Sequence, residues 1–302
     1  MIYFYLIIFL FVSIFFKIPI LAIFGGIIFS LIFKTKNEFI TKKYSTIILQ
    51  TGVVLLGLSI NYQSAINSSL QYMPAISIFV VLTFTFVLLL GLSLKIDKNY
   101  SLLVASGSSI CGGTAMISIA PIIKSKNEDL AAALSIIFIL NALGIFLFPF
   151  IGELLNLSQS QFGAWAATVI HDTSAVIGAS MSYGYESLET ASTLKLGRTL
   201  WLIPLIILIS ITEKSDKKHF PFPMFVIFFI LAIISGSYFN TLIEKEIIRN
   251  VSQIILLIGL FSVGTQIAFK NLKIIDTKKL IYPIISWIMI IPFSFFIVFS
   301  LA

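Results

Sequence analysis

Apolar residues run along the chain in blocks of fifteen or more, and the polar residues collect in the short gaps between them. About 20 apolar residues are needed to cross a bilayer as a helix. On that ruler the chain divides into eleven expected spans: 2–16, 19–33, 45–60, 72–94, 101–123, 131–152, 163–183, 194–212, 222–239, 250–269 and 280–300. The first two are short, and read either as tilted spans or as a pair joined in a hairpin at Lys17-Ile18-Pro19. The first segment lacks a basic leader and a small-residue cleavage site, so it reads as a retained span. No gap has room for a soluble domain. The expectation is an all-α polytopic membrane protein, residues 1–302 forming a single transmembrane domain with its core around 101–123 and 163–183.

Composition agrees: 58% of the 302 residues are hydrophobic, 11% are charged, and the mean hydropathy is +1.06. A soluble domain carries about 25% charged residues. The lone cysteine, Cys111, excludes an intrachain disulfide framework and a Cys-rich metal site. The net charge of +7 is explained by placement. With the N-terminus inside, thirteen basic residues fall in cytoplasmic loops (Lys34, Lys36, Lys42, Lys43, Lys95, Lys98, Lys214, Lys217, Lys218, Lys270, Lys273, Lys278, Lys279). Five fall outside (Lys17, Lys124, Lys126, Lys245, Arg249), and Lys195 and Arg198 lie within a span. By the positive-inside rule this excess sets an odd number of spans with the C-terminus outside. It implies lipid contact and no nucleic acid.

Internal similarity is weak but visible. Residues 54–60 (VLLGLSI) resemble 258–264 (IGLFSVG); they fall in the third and tenth expected spans, which would point the two copies in opposite directions, as in inverted repeats. A second similarity, offset by sixty, aligns Ile110, Ala115, Ala131 and Leu134 with Ile170, Ala175, Ala191 and Leu194. The eleven-span topology makes that pair parallel, so either one segment is re-entrant or the match is chance.

Two expected spans break the rules of membrane helices. Residues 105–114 (ASGSSICGGT) place three glycines and four hydroxyls at mid-segment, and residues 171–174 (HDTS) place ionisable groups there. Glycine weakens a helix by about 1 kcal/mol relative to alanine, and a charge at a helix centre costs about 2.5–3.5 kcal/mol on insertion scales. Both segments read as discontinuous helices. Irregular backbone at membrane depth survives only where it is buried in protein or lines a cavity. Half-helices starting near Gly113 and Thr173, capped by Thr114, Thr173 or Ser174, would aim N–H groups and a positive dipole end into that cavity, a site suited to an anion. Close helix packing through small residues accounts for the same glycines.

His171 and Asp172 are either a structural pair, one capping the half-helix and the other bonding a carbonyl, or a coupling site binding a proton or sodium ion. Lys195 and Arg198 share a helix face. They either snorkel to the outer headgroups beside Trp201 or contact a substrate, with pairing to Asp172 a further role for Arg198. Asn141 is one more mid-membrane polar candidate. Gly107 to Thr114 lacks the lysine of a phosphate-binding loop, so no nucleotide and no cofactor is expected.

These motifs together, SICGGTA at 109–115, HDTSAVIGA at 171–179 and KLGRTLWLIP at 195–204, resemble the YeiH-type membrane proteins named as sulfate exporters. The resemblance covers most of the chain. It implies kinship with cation/proton antiporters and bile-acid sodium symporters, inverted repeats, two broken helices crossing at mid-membrane, a cell inner membrane location and a possible homodimer. The resulting expectation is a secondary transporter, not an enzyme, for sulfate or a related oxyanion. Ser109, Cys111, Gly112, Gly113, Thr114, Thr173, Ser174, Lys195 and Arg198 would line the substrate, and His171 and Asp172 would handle the coupling ion. The alternatives are a cation/proton antiporter with Asp172 as ion site, a passive anion channel, and an intramembrane enzyme using His171 with Ser174 or Cys111.

Overall fold

In the computed structural model, residues 2–34, 39–213, 224–238, 244–266 and 276–301 are described, and all their regular structure is helical. In chain order the elements are α1 Ile2–Phe16, α2 Pro19–Phe33, α3 Ile40–Ser59, α4 Tyr62–Ser93, α5 Lys98–Ser109, α6 Gly113–Ile119 and α7 Asn127–Leu154. They continue with α8 Gln159–Val169, α9 Thr173–Tyr183, α10 Tyr185–Thr199, α11 Leu202–Thr212, α12 Met224–Tyr238, α13 Lys245–Gly264 and α14 Thr277–Leu301. Among the described residues five stretches are long and apolar enough to cross a membrane: α4, α7, α10 with α11, α13 and α14. The ends of the expected spans 222–239 and 250–269, and Lys36, Lys214, Lys217, Lys218, Lys270 and Lys273, lie outside the described residues.

Two bundles emerge from which helices pack together. In one, α13 lies between α2 and α3, with α1 against α2 and α13, and α12 against α3. Small residues let these backbones touch, as is common between membrane helices. A Cβ at Gly26 or Gly264 would run into the carbonyls of Phe261 or Ile23, and one at Gly236 into that of Leu58. Helices α3 and α13 run antiparallel, because Thr41 meets Thr265 (3.0 Å) at one end while Gly52 faces Leu256 further along. The second bundle, the core, holds α4 to α11 and α14, with α10 against α8, α9 and α4.

The helices break where the glycine and polar clusters fall, at 110–112 and 170–172, but neither broken segment crosses the membrane. Asn99, at the start of α5, donates to the carbonyl of Ile123, just past α6 (2.9 Å), and Gly107 of α5 faces Met116 of α6. Helices α5 and α6 are therefore the two arms of a re-entrant hairpin. At the opposite end, the Tyr183 hydroxyl donates to the Leu157 carbonyl (2.6 Å), the Phe162 and Tyr183 rings stack at 4.0 Å, and Gln159 accepts from the Glu186 N–H (3.0 Å). Helices α8 and α9 fold back in the same way. Each entry arm, 12 residues in α5 and 11 in α8, is about 16–18 Å long at 1.5 Å per residue, half of a hydrocarbon core about 30 Å thick.

Two expectations are corrected by this. Segments 101–123 and 163–183 are hairpins and not spans, so the through-going crossing helices implied by the resemblance give way to two tips that meet. Residues 124–130 accordingly lie at the same end as Lys98 and Lys279, as the Lys279–Asp129 ion pair (2.5 Å) and the Lys98–Glu213 ion pair (2.7 Å) place them. The hairpins enter from opposite ends, where the sequence had offered one re-entrant segment or a chance match. Both segments are re-entrant, so the α5–α6–α7 and α8–α9–α10 stretches run in opposite senses.

Candidate functional site

The two hairpin tips touch in the middle of the core. Gly112 has φ +59°, the left-handed region that glycine occupies without strain. A Cβ there would stand 3.3–3.4 Å from the backbone and Cβ of Asp172. Glycine thus serves both the turn and the close approach. Past the turns, α6 starts at Gly113 and α9 at Thr173, as the sequence suggested, but the caps differ. Gly112 is the N-cap of α6 and offers no side chain; Asp172 is the N-cap of α9, its carboxylate accepting from the Ser174 N–H (3.0 Å) and from the Ser174 hydroxyl. Thr114, Thr173 and Ser174 occupy first-turn positions instead. Asn141 of α7 fixes the second tip from the side, its Oδ1 accepting from the Asp172 N–H (3.4 Å).

A hairpin tip contains one helix C-terminus and one N-terminus, with opposite dipole ends. The C-terminal ends of α5 and α8 would leave carbonyls unpaired at membrane depth. Lys195 and Arg198 pair them. Lys195 Nζ donates to the carbonyls of Ile110 (3.2 Å) and Ile170 (2.7 Å). Arg198 donates through Nε to Ser109 (2.8 Å), through Nη1 to Ala167 (2.8 Å) and Thr168 (2.7 Å), and through Nη2 to Ser108 (2.8 Å). The guanidinium also lies 5.1 Å from the centre of the Phe79 ring. Each cation therefore bridges both hairpins, and Lys195 does so at the two isoleucines that the sixty-residue offset aligns.

Both cations are fully buried, so the snorkelling alternative is overturned: the carbonyls of two re-entrant hairpins hold these side chains inside the core. Neither forms an ion pair with Asp172, so the pairing suggested for Arg198 is not made. Trp201 instead donates its indole N–H to Ser77 (3.3 Å).

With the C-terminal ends neutralised, the N-terminal ends of α6 and α9 are left facing one another, with Asp172 beside them. Thr114 is exposed, Thr173 and Asp172 are half-buried, and Cys111, Gly112, Gly113 and Ser174 are buried. His171 is 1% exposed and neither ring nitrogen has a hydrogen-bond partner, so it pairs with neither Ser174 nor Cys111. Among the described residues no group of three His, Cys, Asp or Glu side chains could hold a metal ion. Ser109 enters the site through its carbonyl, not its hydroxyl, which turns back to the carbonyl of Ser106 (3.3 Å). Sequence reasoning missed Ser108, Ala167 and Thr168 because they act through main-chain oxygens, which no side chain announces.

Residues 6–283 match the model of the family described as Conserved hypothetical protein 698. A UPF0324 membrane protein of Bacteroides thetaiotaomicron is 39% identical over 275 residues, covering 90% of this chain and 83% of its own. Another, from Porphyromonas gingivalis, is 36% identical over 281 residues, covering 90% and 84%. No solved structure matches the chain.

Proposed function

The chain belongs to the Conserved hypothetical protein 698 family, the UPF0324 membrane proteins, and we propose that it is a secondary transporter exporting or exchanging a small inorganic oxyanion, sulfate or a close relative. The observation that carries this reading is the treatment of helix ends at the two hairpin tips. Lys195 and Arg198 bind the C-terminal carbonyls of α5 and α8. That leaves two positive N-terminal ends and two buried cations against one carboxylate, an environment that favours an anion.

In this reading the first turns of α6 and α9, with Gly113, Thr114, Thr173 and Ser174, receive the anion. Lys195 and Arg198 act from behind the tips, raising the local potential and holding the two hairpins together. Asp172, with His171 next to it, carries the coupling proton or sodium ion. The core bundle, clipped into one unit, rocks against the bundle of α1 to α3, α12 and α13 to give alternating access, and the opposed hairpins are its inverted repeats. The lysine-rich end is cytoplasmic: with Lys124 and Lys126 moved there, the excess of basic residues becomes fifteen against three.

Labelled sulfate uptake into proteoliposomes tests this, with and without imposed pH or sodium gradients. Saturable, gradient-dependent flux is expected, and Asp172→Asn is expected to retain sulfate exchange while losing its dependence on the gradient. Folded protein that moves no oxyanion under any gradient would sink the reading. Cation/proton exchange in those vesicles would then put Asp172 at an ion site instead.

A further inference from the structure

The core meets the other bundle where α7 and α9 face α2 and α13, and a cavity of about 20 Å³ lies in that seam. A space of that size takes about one water or one ligand oxygen. Its walls are mostly apolar, and its polar members are Asn141, Ser174 and Gln266.

Two of those three have already spent their donors. The Ser174 hydroxyl is given to Asp172. The Gln266 amide nitrogen donates to the Lys42 carbonyl (3.1 Å) and the Ser45 hydroxyl (2.5 Å). Asn141 has not. Its side chain is 5% exposed and Nδ2 has no hydrogen-bond partner. The amide cannot simply be turned over, because Oδ1 accepts the Asp172 N–H and a flip would set an NH₂ group against that donor.

A buried donor left unpaired is costly, and this one stands beside the start of α9, near the middle of the 28-residue α7. We infer that Asn141 is a substrate-recognition residue, donating Nδ2–H to one oxygen of the transported oxyanion as it sits at the α9 tip; the inference rests on the transport reading above. One amide then does two things: its oxygen holds the tip by the Asp172 N–H, and its nitrogen reads the ligand. Because α2 and α13 supply the far wall, movement of the core would open this space to the rest of the anion.

The test is equilibrium binding of labelled sulfate to the full chain in lipid nanodiscs, comparing wild type with Asn141→Asp and a neutral variant, Asn141→Leu or, should that not fold, Asn141→Ala. Asn141→Asp keeps an acceptor for the Asp172 N–H and removes the donor, and the neutral variant separates that loss from the effect of the added carboxylate. Both substitutions are expected to raise the sulfate Kd tenfold or more. An unchanged Kd in either folded variant overturns the inference: in the neutral one it means that Nδ2 holds only a water or that charge alone weakened the Asp variant. Wild-type protein that binds sulfate while the variants match it leaves the transport reading standing. Wild-type protein that binds no oxyanion removes both.

Discussion

Arg198→Met removes the guanidinium from the middle of the core while keeping most of its volume. Arg198 makes four bonds of 2.7–2.8 Å to the carbonyls of Ser108, Ser109, Ala167 and Thr168, all out of contact with solvent. A hydrogen bond to a charged group contributes about 1.5–3 kcal/mol, and the four share one side chain, so they do not add. Without the guanidinium four buried carbonyls lose their donor, and a buried group left unpaired costs about 1–3 kcal/mol, so about 3 kcal/mol is a lower bound for the set. Taking the lower bound, local opening of the tips should become about a hundredfold more frequent, since each 1.4 kcal/mol is tenfold. Hydrogen–deuterium exchange reads this directly in peptides spanning 106–114 and 166–174, whose tip amides of Ile110, Gly112 and Ile170 are bonded only within their own hairpins. The acceleration should be confined to those peptides and leave α3 and α13 at wild-type rates. Arg198→Lys, which keeps charge but cannot reach four carbonyls, should fall between. Wild-type exchange at the tips of Arg198→Met would refute the clip, and equal acceleration in α3 and α13 would show a global effect instead.

Cysteines placed at Ser125 and Asn156 in a Cys111→Ala background should react with impermeant reagents from opposite sides of the membrane, Ser125 from the side of Lys98 and Asn156 from the other. Hairpins that were in fact spans would exchange the two results. Gly112→Ala puts a Cβ on a backbone with φ +59° and against Asp172. It should cost about 1–2 kcal/mol, seen as a lower thermal midpoint, and should reduce transport far more than it reduces expression. Gly26→Val brings side-chain carbon onto the Phe261 carbonyl. It should destabilise the α2–α13 pair and lower the melting midpoint by more than Gly25→Ala, whose Cβ has ordinary contacts.

How much of this was legible in the sequence depends on the kind of signal. The breaks at 110–112 and 170–172 announced themselves, because an unbroken membrane helix has little use for glycines and ionisable residues at mid-segment. That α6 begins at Gly113 and α9 at Thr173 followed from the same residues. The direction of the chain after each break did not. A segment of about 20 apolar residues has the same composition whether it continues across or turns back, and contacts such as Asn99 to Ile123 leave no trace in hydropathy. One hint was present: the eleven-span reading set Lys124 and Lys126 outside against the positive-inside rule, and the hairpin puts them at the end of Lys98 and Lys279. The partners of Lys195 and Arg198 were hidden for another reason. A main-chain carbonyl has no residue identity, so the sequence offered headgroups, a substrate or Asp172 as partners for the two cations, and not the helix ends that hold them.

The clip also fixes what the membrane voltage acts on. On the transport reading, a divalent oxyanion adds two negative charges to those of the empty tips, and a proton or sodium ion at Asp172 offsets one of them. An elementary charge moved through the full potential gains or loses about 2.3 kcal/mol per 100 mV. With the cell interior negative, the field would then favour outward movement of the loaded core over that of the empty one, and efflux from vesicles should speed up as an inside-negative potential is imposed.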